Sequence, residues 1–410
     1  MIGKRLPADC PSMPPHRARH TTLALTTLCT AAALALAACG GGDGGDGGTT
    51  SSAAPGGSAP AGAQASAPAG GQGAATSPSP TSPTTPTGGT TTTTTTTAGA
   101  CYTVSGSAPA AAPGSGISLL PARGSAVSNY RVLEEPRTAG LCYANYRREQ
   151  VGLPPLAARD PLNAAAQAHT DYMLANATLT HDESSGNPGY TGATAHERIQ
   201  AAYPTDATAE VVAGANRWTS VANAQLSMSP KDALVSDLVD APFHRAALLG
   251  SYGSAGSGFA ERVGANGSGT SASYYQTVDL ADRVKGGSDS QMVAYPFDGQ
   301  NDVPANWVNT ESPNPAPGYE NRTMGYPVSL QAINTSLQFD ADNFVITDAQ
   351  GSNVDCIKVD SRSSGLSSAA RGLAVCTPMA PLASQQRYTV RVTGRLGAQP
   401  VDLSWSFTTR

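Results

Sequence analysis

Charge is scarce in this chain: only 13% of its 410 residues are Asp, Glu, Lys or Arg, and the formal net charge is −5. There is no run of Lys and Arg interleaved with aromatics, so nucleic acid is not an expected partner. Histidine is rarer still, with 6 in the whole chain. The cysteines never fall in the tight CxxC spacing of a structural zinc site. A nucleophile elbow, an HExxH helix and a Ser/Lys signature are also absent, which removes the ready-made hydrolase constellations. The apolar run "LALTTLCTAAALALAAC" is too short and too rich in Ala and Thr to be a comfortable membrane span.

That run has another use. It follows Arg17 and Arg19 and ends in Leu36-Ala37-Ala38-Cys39, and a basic segment, a short apolar core and small residues at the cut describe a secretory signal over residues 1–38, starting at Met1 or Met13. "LAAC" resembles the bacterial lipobox, which implies that Cys39 is lipidated and is the first residue of the mature protein. Gly40 at the next position, by resemblance to lipoprotein sorting rules, points to the outer membrane, on its periplasmic face or at the cell surface. The expected partner at that end is therefore a membrane, held through lipid on Cys39. Without residues 1–38 the formal charge becomes about −8.

Residues 39–100 are Gly, Ser, Ala, Pro and Thr, including the unbroken run Thr90–Thr97. Such a segment has too little apolar surface to offset chain entropy and reads as a disordered tether with a reach of roughly 45 Å. Four cysteines remain beyond it: Cys101, Cys142, Cys356 and Cys376. An even count in an exported chain suggests disulfides; three pairings are possible, and proximity favours Cys101–Cys142 with Cys356–Cys376.

From residue 101 to about 285 the pattern mixes helix and strand. "TAGLCYANYRREQVGLPPL" predicts a helix ended by Gly152, with Pro154 and Pro155 preventing continuation. "DPLNAAAQAHTDYMLAN" predicts a helix from Asp160 as cap and Pro161 as first residue to Asn176, with Leu162, Ala165, Ala166, His169 and Met173 on one face. His169 is then a core-facing, hydrogen-bonded histidine. Thr194 and Glu197 have capping-box spacing, which gives Glu197 a structural duty. "SPKDALVSDLVD" predicts a helix capped by Ser229 with Pro230 first, "FHRAALLG" a second short one, and "GSGFAERV" and "SASYYQTVDLA" paired strands around the turn "GANGSG".

Taken in order, these segments resemble a bacterial CAP domain of the SCP superfamily. The matching residues are Asn145, Arg148, Gly152, Leu153, Leu156, Ala166, His169, Met173 and His181, then "HERIQAAYP", "AEVVAGA", "APFHRAALLG" and "GSGFAE…YYQTVDLA". The resemblance implies an α+β fold, an α-β-α sandwich with a cleft of two histidines and two acids. Carried over by position, these are His181, His244 and Glu210, with the fourth place falling near Asp240 or Ala241; only Asp240 could supply a carboxylate there. Val211 stands where the family has Asn. Two neutral imidazoles and a carboxylate suit an open zinc or other divalent-metal site completed by water, and a Glu210–His244 acid/base pair is the non-metal alternative. A purely structural His-Arg pair at the start of a helix is the plainer reading of His244 and Arg245.

From residue 290 to 410 helical periodicity gives way to short alternating runs, which predict a small all-β sandwich. "RYTVRVTG…LSWSFTT" resembles the end of bacterial Ig-like domains, with Tyr388, Trp405 and Phe407 in the core and a spacer or adhesive role. The function expected from the whole is a membrane-anchored, extracytoplasmic CAP-domain lipoprotein that binds a divalent metal, a small ligand or an envelope component. The alternatives are a metal-assisted hydrolase of peptides or envelope polymers, and a structural envelope protein.

Overall fold

A computed structural model describes residues 33–39 (backbone only), 101–107, 116–284, 289–334 and 336–410. Most of the expected signal segment, and the tether beyond Cys39, lie outside the described residues.

Strand β1 (Ala33–Cys39) comes first, then the short strands β2 (Thr103–Val104), β3 (Ser118–Leu119) and β4 (Val127–Ser128). Helix α1 (Pro136–Gln150) starts where the Glu135 carboxylate accepts from the Arg137 and Thr138 amides, with Pro136 in the first turn. It stops at Gly152, whose φ of +92° is the left-handed conformation glycine adopts without strain. The motif residues on α1 act as brackets. Asn145 exchanges two hydrogen bonds with the backbone of Leu156. Arg148, fully buried, donates to the carbonyls of Pro154, Leu248, Gly250 and Tyr252.

Strand β5 (Ala157–Ala158) leads into α2 (Asp160–Asn176), which has the expected limits. Its cap position is Arg159, and no side chain bonds the free amides there, so Asp160 contributes charge to the first turn and not a cap. Helix α3 (Ala195–Ala202) has the full Thr194/Glu197 capping box. Strand β6 (Thr208–Thr219) is followed by α4 (Ala233–Asp240), which begins after Asp232, whose carboxylate is taken by the Tyr130 hydroxyl. Ser229 is thus not its cap. Helix α5 (Pro242–Leu248) follows after a single residue, and β7 (Tyr252–Asn266) and β8 (Gly269–Arg283) form the expected hairpin.

The sheet order is β1-β6-β8-β7-β5. Alternation along β6 sends Ala209, Val211 and Ala213 into a core with α1 and α4, and Val212 into a cluster with Tyr172 and Met173 of α2, so helices cover both faces. Helix α2 lies unusually close to β7. A Cβ on Gly256 would sit 2.0 Å from the Leu162 backbone and one on Gly258 2.4 Å from that of Ala166, which explains the Gly-x-Gly pattern. Cys101 is bridged to Cys142.

The remaining residues are all strand and loop: β9 (Gln291–Tyr295), β10 (Gln300–Val303), β11 (Asn306–Val308), β12 (Thr323–Gly325), β13 (Val328–Ala332), β14 (Phe339–Thr347), β15 (Cys356–Val359), β16 (Leu373–Pro378), β17 (Arg387–Leu396) and β18 (Gln399–Thr409). They form one sheet in the order β10-β18-β17-β14 and another in the order β15-β16-β13-β9-β3, so two residues ahead of α1 complete the second sheet. Tyr388, Trp405 and Phe407 are buried as expected, and Cys356 is bridged to Cys376 across β15 and β16.

This region is not a detached spacer. One continuous core runs from Tyr143, Leu238 and Val278 to Tyr295, Leu330, Phe344 and Trp405. Arg245 of α5 is completely buried; its guanidinium lies 4.7 Å from the ring centre of Tyr295 and bonds the Ser329 hydroxyl and the Pro327 carbonyl. Gln331 donates to the carbonyls of Ala246 and Leu249.

Candidate functional site

Two of the four residues expected in the cleft meet. The loop after α2 carries His181 toward β6, where its Nδ1 lies 2.8 Å from Oε1 of Glu210. The other oxygen of Glu210 accepts from Arg198 of α3 at 2.8 Å, and the same guanidinium nitrogen donates to the His181 carbonyl at 2.8 Å. With Glu210 ionised and acceptor-only, Nδ1 is the donor to it. Burial alone would raise the carboxyl pKa of Glu210. The bond from His181 and the charges of His169, Arg198 and His181 outweigh it and hold the group down at about 2.

Behind this pair lies a second one. His169 of α2 is fully buried, with Nδ1 2.8 Å from Glu183 and Nε2 2.8 Å from the Thr180 carbonyl. Glu183 also accepts from the Thr191 amide at 2.6 Å. Asp279 stands directly opposite Glu210 in the β6/β8 register and is 2% exposed. Its Oδ1 has no hydrogen-bond partner among the described residues. Burial, then the Glu210 charge beside it, push the Asp279 carboxyl well above the usual range, with Arg198 opposing. Among the six residues of this network His181 is the most accessible, at 9%.

His244 and Asp240 are held differently. His244 is buried, and its Nδ1 lies 2.8 Å from Oε1 of Glu311 in the all-β region. Asp240 accepts from the Tyr326 hydroxyl at 2.7 Å, and burial raises its pKa against the pull of Tyr326, Arg147, Arg245 and Arg410. Thus the described ion pairs join His181 to Glu210 and His244 to Glu311, as two couples.

The donor chemistry bears on the expected metal. A histidine that ligates a metal gives its other ring N–H to a carboxylate or carbonyl, and His181 has that arrangement. Glu210 does not fit as a ligand, because both its oxygens are engaged and a guanidinium faces one of them. Among the described residues no group of three or more His, Cys, Asp or Glu side chains is placed to share one ion. Of these residues, His181 thus has a ligand's arrangement and Glu210 does not.

Sequence reasoning missed Glu183, Arg198, Asp279 and Glu311. The strand register that sets Asp279 against Glu210 has no local signal. Glu311 stands in a loop, "NTESPNP", where no periodicity marks it. Arg198 was within reach: it directly follows the capping-box Glu197, on the helix that faces β6.

Comparison with known proteins adds the following. Residues 141–275 match the family described as the Cysteine-rich secretory protein family, CAP. The chain is similar, at 17% identity and a TM-score of 0.26, to a solved extracellular protein containing a SCP domain from Bacillus anthracis; the similarity covers 36% of this chain and 40% of that one. No curated protein matches the chain.

Proposed function

With residues 141–275 a CAP domain, we propose that the protein is exported, anchored to a membrane by lipid on Cys39, and binds a small ligand through His181. The ligand class favoured by the donor chemistry is a divalent ion that prefers imidazole, such as zinc, completed by water. The observation that carries this reading is the fixed imidazole: Nδ1 of His181 on Glu210 at 2.8 Å, with Arg198 on the other Glu210 oxygen at 2.8 Å. In it Glu210 orients and His181 contacts. The place of His244 in the motif "APFHRAALLG" makes it the second imidazole of this reading, and Asp240, engaged with Tyr326, takes no part. A divalent ion there would act as a Lewis acid toward its own bound water.

Export and anchoring rest on the residues around Cys39. Cleavage before Cys39 takes Ala33–Ala38 away from β6, to which they pair antiparallel, and leaves β6 as a sheet edge. Among the described residues no helix is long and apolar enough to cross a membrane, and in this reading lipid supplies the attachment. Elemental analysis of the full chain purified from an exporting host tests the ligand. Metal near one equivalent in the wild type and its loss in His181→Ala supports the reading. Equal metal content in the two proteins contradicts it.

A further inference from the structure

Glu311 lies outside the CAP segment, yet its carboxylate is spent on the first turn of α5. One oxygen accepts from the backbone amides of Phe243 at 2.8 Å and His244 at 2.9 Å, and the His244 ring nitrogen Nδ1 lies 2.8 Å from the same atom. Both side chains of the His244–Glu311 pair are fully buried. An oxygen already receiving two N–H groups is an acceptor, so the ring must present Nδ1–H to it. A ring proton is then held on Nδ1, which repeats what Glu210 does for His181. The rotation of the ring is fixed with it, because α5 is clamped to the β-region through Arg245, Ser329 and Gln331.

We propose that Glu311 is the positioning residue of His244: the C-terminal β-region supplies the carboxylate that sets the tautomer and direction of an imidazole of the CAP domain. The β-region is then a working part of the site. Only the use made of Nε2, as a ligand to a divalent ion, rests on the function proposed above. If that use is real, loss of the backing carboxylate weakens ion binding by about 10–100-fold, the usual cost of removing such a partner.

The test is nitrogen NMR on the histidine-labelled full chain, with His244 assigned from a His244→Gln variant, followed by zinc titration. The wild type is expected to show His244 as the Nδ1–H tautomer. Glu311→Ala should lose that preference and lower zinc affinity, while Glu311→Gln, whose amide oxygen still accepts, should keep the tautomer and recover part of the affinity. An Nε2–H tautomer in the wild type overturns the proposal even if every Glu311 variant fails to fold, and so does an unchanged Nδ1–H tautomer in Glu311→Ala. If the wild type shows the Nδ1–H form, Glu311→Ala loses it and zinc does not bind, the positioning role stands and the ligand-binding function falls.

Discussion

Replacing Arg245 by methionine removes a buried cation from the junction of the helical and β-regions while keeping most of the side-chain volume. The guanidinium donates to the carbonyls of Val239 at 3.1 Å, Asp240 at 3.3 Å and Pro327 at 2.9 Å, and to the Ser329 hydroxyl at 3.2 Å. Leaving two buried carbonyls and one partly buried carbonyl without this donor costs about 1 kcal/mol or more each. The desolvated contact with Tyr295, at 4.7 Å, adds about 2 kcal/mol. Relief of the cost of burying the guanidinium returns part of this, so the net loss should be about 4 kcal/mol. Urea unfolding followed by fluorescence reads it out, since Trp218 lies in the CAP segment and Trp307 and Trp405 in the β-region. The wild type should unfold in one transition because the core is continuous. Arg245→Met should lower the midpoint and separate the two regions into distinct transitions. A loss under about 1 kcal/mol with a single transition retained would refute the idea that Arg245 fastens the regions together.

Three other expectations concern charge and anchoring. Glu210 is held at about 2 against an ordinary 4.5, so its contribution of about 3 kcal/mol is present above pH 4.5 and disappears as the pH falls toward 2; Glu210→Gln should flatten acid unfolding in that window, and an unchanged profile speaks against the ion pair. Asp279 shifts the other way: its raised pKa means that stability falls as the pH climbs above the ordinary value of 3.8 toward the folded one. Asp279→Asn should therefore stabilise the protein at neutral pH, measured by thermal melts, and a lower melting point would show that the carboxylate is needed ionised. Cys39→Ala should move the exported protein from the detergent phase to the aqueous phase on detergent partition, and an unaltered distribution contradicts lipidation.

How much of this was legible in the sequence divides along physical lines. Local signals were read well: the extent of α2, the Thr194/Glu197 box and the β7/β8 turn each depend on residues a few positions apart. Asp232 shows the limit of that reading, since Tyr130, 102 residues away, claims its carboxylate and α4 starts later than Ser229 suggested. The His181–Glu210 couple was found through its order in the chain, not through any local rule. Long-range partners were invisible: strand register sets Asp279 beside Glu210, and domain docking brings Glu311 to His244 across 67 positions. The same docking changes how His244 and Arg245 are to be understood, for their burial is completed by residues beyond the CAP segment.

The proposed role of His181 is to contact a ligand from the orientation that Glu210 and Arg198 fix. Calorimetric titration of the metal-stripped full chain with zinc tests it most directly, run beside His181→Ala and Glu210→Gln. Expected are one saturable site in the wild type, no site in His181→Ala, and weakened binding in Glu210→Gln. Wild-type and His181→Ala proteins that give the same isotherm, or a folded wild type that takes up no zinc, would contradict it.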